Sequence, residues 1–226
     1  PVATTAAATT PAAGDVITGD VITGVQIIEL PAPTPTAGLP PGAWDALTDP
    51  NQMNDLAVIG NAVWIATSGG AVAWTKGSNT PVLYTAADGL LGNQLNAVAG
   101  CALPSFGVVF GGPTGLQIGD GRTGRWRHLN SDTGSEGEAG GGLRYDDVST
   151  LYCDAENGFL IVGFAEHGIA IYDAEDDDWR YLDRNSGLAA NNVRRVAVVG
   201  DRRQIWVASD EGVTVSAGAD STFYDN

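Results

Sequence analysis

Only two cysteines, Cys101 and Cys153, occur in 226 residues, too few for a disulfide framework that could stand in for a core. Neither has a His or Cys at zinc-ligand spacing. Lysine is nearly absent: Lys76 stands alone, and 27 acidic against 11 basic side chains give a formal net charge of -16. Such a surface repels nucleic acid and anionic membrane, so no nucleic-acid partner is expected. No apolar run is long enough to span a bilayer, so no direct membrane insertion is expected either. There is no basic-plus-apolar signal at Pro1, and a start without Met reads as processing or trimming. The chain has two histidines, His128 and His167, and no nucleophile elbow, phosphate-binding loop or zinc-hydrolase motif.

What the sequence does have is one phrase written four times: "AVWIATSGGAVAW" from Ala62, "GVVFGGPTGLQI" from Gly107, "FLIVGFAEHGIAIY" from Phe159 and "QIWVASDEGVTV" from Gln204. Each runs from apolar residues through a small residue, a short turn and a glycine into a second apolar strand. The small residues Ala66, Gly111, Gly163 and Ala208 are 45, 52 and 45 positions apart, and the glycines that follow are Gly70, Gly115, Gly168 and Gly212. A repeat of this period with no helix between copies predicts an all-β fold, a β-propeller of four four-stranded blades. Those blades could close alone or belong to a larger or assembly-completed ring.

The expected strands of the first repeat are 55–59, 62–67, 71–75 and 81–85. Those of the second are 95–99, 107–110, 116–118 and 126–129. The third has 148–152, 159–163, 169–172 and 179–182, and the fourth 194–199, 204–208, 213–215 and 222–224. Residues 1–42 read as an Ala/Thr/Pro-rich leader and extended arm with one candidate strand, Val25 to Leu30; residues 43–226 read as the propeller, preceded by a strand-like stretch from Trp44 to Thr48. Strand addition by this arm to another copy would give self-association.

The phrases "YTAADGLLGNQLNAVAG" with "GVVFGGPTGLQI", and "YLDRNSGLAANNVRRVAVVGDRRQIWVASDEGV", resemble the two-component-regulator propeller repeat family over roughly residues 44–226. Trp64 and Trp206 stand at that family's strand tryptophan, which Val109 and Ile161 replace in the middle copies. "DGL" at Asp88 to Leu90 matches the family turn, and "SGL" at Ser186 to Leu188 departs from it. The resemblance implies an extracytoplasmic sensing or recognition propeller, placed outside the cell, at its surface or in the periplasm.

Several residues are candidates for chemistry. Trp126 and Trp179 supply apolar area between blades and, secondarily, faces on which a ligand could stack. His167 precedes the repeated Gly168 and could meet a ligand with Glu166, or form an acid–base pair with Glu166 or Asp210. Asp173, Glu175 and Asp177 crowd one hairpin; a solvated acidic turn is favoured, with calcium the ion it could hold. A second acidic patch is expected from Glu136, Glu138, Asp146 and Asp147. Cys101 and Cys153 lie at matching places in successive repeats, which admits one interblade disulfide or two buried thiols. No cofactor is required. The preferred function is non-enzymatic recognition of a protein, peptide or glycan; a structural cell-surface or fibre subunit and a propeller lyase or hydrolase are the alternatives.

Overall fold

The computed structural model describes residues 52–78, 81–103, 106–119, 125–133, 142–200 and 203–217. The leader, the arm strands at 25–30 and 44–48 and the last expected strand at 222–224 lie outside these residues, as do Glu136 and Glu138. Fifteen strands and two single 3₁₀ turns, at Ala86–Asp88 and Arg184–Ser186, are found among the described residues. Blade 1 is β1 (Met53–Ile59), β2 (Ala62–Thr67), β3 (Gly70–Thr75) and β4 (Val82–Tyr84). Blade 2 is β5 (Ala97–Gly100), β6 (Val108–Gly112), β7 (Gly115–Gly119) and β8 (Trp126–Leu129). Blade 3 comprises β9 (Val148–Asp154), β10 (Phe159–Phe164), β11 (Ile169–Asp173) and β12 (Asp178–Leu182). Blade 4 comprises β13 (Val193–Val199), β14 (Gln204–Ser209) and β15 (Gly212–Val215).

Every pairing is antiparallel between consecutive strands, which is the meander that short connections and alternating apolar residues favour. The strands follow the expected ones closely, usually with a residue or two added at an end. These are blades of a β-propeller.

Alternation along each strand gives a blade two apolar faces, and the core consists of the seams where facing blades meet. Trp64, Ala66, Val98 and Phe110 lie buried in the first seam. Val109, Leu116, Leu151 and Leu160 lie in the second, and Ile161, Ile171, Val196 and Val207 in the third. The inner strands follow one another in the same way: β1 packs on β5, β5 on β9 and β9 on β13.

A polar latch repeats beside each seam. Asn54 Nδ2 donates to the Leu95 carbonyl at 2.7 Å, Asn96 Nδ2 to Val148 at 2.9 Å and Ser149 Oγ to Val193 at 2.7 Å. In blade 4 the same register position is Arg194, whose Nε bonds Asp210 of its own blade at 2.6 Å. The latches satisfy carbonyls at the starts of the inner strands, where no neighbouring strand can reach them. Asn96→Ala is therefore expected to lower stability by about 1 kcal/mol in urea unfolding, since it leaves a partly buried carbonyl unpaired. A loss no greater than that of an exposed control substitution would show the latch to be idle.

Strands β13 and β1 do not pack as the other inner pairs do. Arg195 Nη1 approaches Asp55 Oδ1 at 3.8 Å, while Asp55 Oδ2 accepts the Val98 amide at 3.0 Å. Among the described residues, apolar side chains on the outer faces of the first and last blades are exposed. Leu56 is 61% exposed where its counterpart Val98 is 4%, and Trp206 is 41% exposed where Trp64 is 6%.

Candidate functional site

A cluster of polar and aromatic side chains lies at the end of blade 3 where β10 turns into β11. Asp147 immediately precedes β9 and organises it. Its Oδ2 accepts the Glu166 amide at 2.7 Å, its Oδ1 meets His167 Nδ1 at 2.8 Å, and its carbonyl accepts the Ala165 amide at 2.8 Å. A carboxylate can only accept, so Nδ1 carries the proton in this contact. The Asp147 and His167 side chains are 29% and 40% exposed, so the pair is held by the fold yet reachable from solvent.

Tyr145 lies flat against the His167 ring, with centroids 3.9 Å apart and planes at 11°. It also meets Phe164 and Tyr181 edge-on, at 5.7 and 6.0 Å. The Arg144 guanidinium covers the Tyr181 ring at 4.5 Å, and the Arg144 amide donates to the Tyr181 hydroxyl at 2.9 Å. Burial raises the Tyr181 hydroxyl above the usual phenol range, which keeps it protonated. The result is a strip of rings, His167, Tyr145 and Tyr181, ending in a cation and bordered by carboxylates. Such a strip offers stacking faces, hydrogen-bond donors and acceptors within one patch.

Several neighbouring charges on this face are already committed. Asp146 accepts from the Ser131 amide and hydroxyl, Arg194 pairs with Asp210, and Arg184 pairs with Glu211 at 3.1 Å. Hydrogen bonding to Asp210 raises the Arg194 guanidinium further above its already high range. His167 thus takes Asp147 as its carboxylate partner, in place of the expected Glu166 or Asp210. The Glu166 residue is exposed and is tied to Asp147 through its backbone.

Sequence reading passed over Tyr145, Arg144 and Tyr181, and placed Asp147 in a generic acidic patch. The available signal was that "LRYDD" leads directly into an inner strand, so its residues lie beside the β10–β11 turn.

The two expected tryptophans sit in the seams. Trp126 packs against Trp64, Tyr84 and Phe110 at 6.5, 5.6 and 5.9 Å. Trp179 is 9% exposed and meets Tyr172 at 5.2 Å. The hairpin carboxylates are not gathered toward a common point. Asp173 Oδ1 accepts the Glu175 amide and Asp177 Oδ1 accepts the Tyr172 hydroxyl; burial and that bond push the phenol far above its usual range. No group of three or more His, Cys, Asp or Glu side chains placed to hold a metal occurs among the described residues. His128 Nε2 lies 3.0 Å from the Gly89 carbonyl.

Cys101 and Cys153 form the interblade disulfide, with Cα atoms 5.4 Å apart. Their equivalence in sequence does not carry over to the sheet, however. Each is ten residues before its small residue, but Gly111 pairs with Ala97 whereas Gly163 pairs with Thr150. Between those paired residues blade 2 has one residue more than blade 3, which turns Cys101 toward blade 3 while Cys153 faces blade 2. Side chains at strictly equivalent positions would point the same way round the axis and could not meet.

No protein-family model matches the chain, and no curated protein matches it by sequence. Solved structures do. The extracellular domain of a B. thetaiotaomicron protein described as a hybrid two component system, BT3049, shares 20% identity at a TM-score of 0.62, covering 84% of this chain and 24% of that one. The computationally designed Ika4 protein gives 16% identity and a TM-score of 0.51, over 73% of this chain and 89% of that one. A chain of the mitotic checkpoint complex gives 18% and 0.50, over 72% and 48%. This chain thus spans about a quarter of the BT3049 domain. Likeness at these identities shows the propeller fold. No helix among the described residues is long and apolar enough to cross a membrane.

Proposed function

We propose that this protein is an extracytoplasmic recognition module that binds a protein, peptide or glycan across the strip of His167, Tyr145, Tyr181 and Arg144. The observation that carries this reading is the strip itself: half-buried aromatic rings and an exposed cation held in fixed geometry by Asp147 and by strand ends. Rigid blades hold those groups in position before a ligand arrives, which reduces the ordering cost of binding. The disulfide fits a compartment outside the reducing cytoplasm. The extracellular setting of the BT3049 domain supports the same placement.

The test is binding of the purified full chain to an immobilised oligosaccharide array and to a peptide library. Any ligand found should lose about tenfold or more in affinity with Tyr145→Ala or Arg144→Ala, a loss of about 1.4 kcal/mol. Asn61→Ala, at the opposite end of the strands, should leave it unchanged. Binding indifferent to both strip variants would move recognition elsewhere. Substrate turnover by the purified protein, abolished by His167→Ala without unfolding, would replace recognition with catalysis.

A further inference from the structure

The seam between blades 1 and 2 is not filled in the way its neighbour is. At the second seam, the chain leaving β5 brings Leu103, 5% exposed, and Phe106 into the core between the blades. The Phe106 ring lies 5.1 Å from that of Tyr172. At the first seam the equivalent connection is Gly60–Asn61 alone, so no such side chains enter. Blade 1 also carries Ala73 at the register position where blades 2 and 3 carry Ile118 and Ile171.

What remains is an open cleft of about 840 Å³, floored by Trp64, Tyr84, Ala73 and Val108. It sits at the β1–β2 turn, the opposite end of the strands from His167. Among the described residues not one Asp, Glu, Lys or Arg lines it, although the chain carries 27 acidic and 11 basic residues. A charged ligand would lose its hydration there without finding a counter-charge, whereas apolar surface gains by leaving water. Val58 and Val82, at the lip, are 73% and 50% exposed.

We propose that this cleft receives a segment of a partner polypeptide that presents an uncharged aliphatic residue and, three positions later, an aromatic one. The second seam shows the chemistry of the occupant, because Leu103 and Phe106 fill the corresponding space there from within the chain. The first seam lacks that loop and takes its equivalent from outside. Trp64 and Tyr84, stacked at 5.9 Å, provide a preformed wall for the aromatic side chain. The site is separate from the His167 strip and stands or falls independently of it.

The probe is the neutral peptide acetyl-Ala-Leu-Pro-Ser-Phe-Gly-amide, which copies residues 102–107, titrated into the full chain and followed by backbone and indole NMR signals. Expected are shifts confined to Trp64, Ala73, Gly100 and Val108, with a dissociation constant on the order of millimolar for so short a ligand. Ala73→Ile, which installs the residue blades 2 and 3 already carry, should weaken binding at least tenfold. A peptide with Ala for Phe should bind at least as poorly. Absence of shifts at the solubility limit would overturn the proposal, as would unchanged binding to Ala73→Ile or equal binding of a scrambled peptide. Tighter binding after Ile27→Asp with Ile28→Asp would show that the chain's own amino-terminal segment holds the cleft, which overturns the partner assignment.

Discussion

Replacing Cys101 and Cys153 together by serine is expected to lower stability by about 4 kcal/mol. The bridge closes a loop of 52 residues, and the chain-entropy relation for a loop of that length gives a stabilisation of about 4 kcal/mol at room temperature. The constraint is well placed, because it joins two different blades. Without it the unfolded chain can separate blades 2 and 3 freely, and the folded seam must hold them by apolar contact alone. Cys101 is 2% exposed, so a serine there also buries a hydroxyl, which adds to the loss. Urea unfolding in the presence and absence of a reductant measures the effect. The natural chain should shift strongly on reduction, and the double serine variant should be insensitive to it. Equal midpoints for the reduced and oxidised natural chain would show that the second seam does not depend on the bridge.

Gly111→Val is expected to cost about 3 kcal/mol or more, or to prevent folding. A Cβ on Gly111 would overlap Val148 Cγ1 and lie 3.0 Å from Val148 Cβ and 3.5 Å from Leu151 Cδ1. Val148 is fully buried and Leu151 is 9% exposed, so neither can swing into solvent. Overfilling a packed seam forces side chains off their rotamers and pushes the blades apart. Gly163 is in the same position, with its Cβ direction blocked by Thr150 at 2.5 Å and Val193 at 2.9 Å. The direct check is a double-mutant cycle by chemical denaturation. Gly111→Ala alone should destabilise, and Val148→Ala in the same chain should recover much of that loss. Additive losses would mean that the small residue is needed for some reason other than the approach of blade 3.

This clash explains the small residue that marks the second and third repeats. The glycine after the turn has a different cause. Gly168 adopts φ of +77°, and a Cβ there would run into the Leu182 carbonyl of the outer strand and lie 3.0 Å from Asp183 Cα. Backbone conformation and backbone approach both demand glycine, so the position recurs. Strand spans were legible for a similar reason. Alternating apolar residues bounded by turn glycines report local geometry, and local geometry is what a single sequence encodes most directly.

The sequence by itself therefore determined the blades, their order and their turns, and it marked the two cysteines as candidates to join. Only the tertiary structure decided which face each side chain turns to and which neighbour it meets. One extra residue between the paired positions of β5 and β6 reversed the direction of Cys101 and made the bridge possible. His167 pairs with Asp147, twenty residues before it, because a strand end and a turn of the same blade meet at its edge. Glu166, its neighbour in sequence, is held only through its backbone. The cleft beside Trp64 arises from Ala73 and a two-residue turn seen against a filled second seam, and neither signals an opening when read alone. Repetition is a short-range pattern, whereas partners across a seam are set by how far apart two packed sheets come to rest, and no local run of residues specifies that distance.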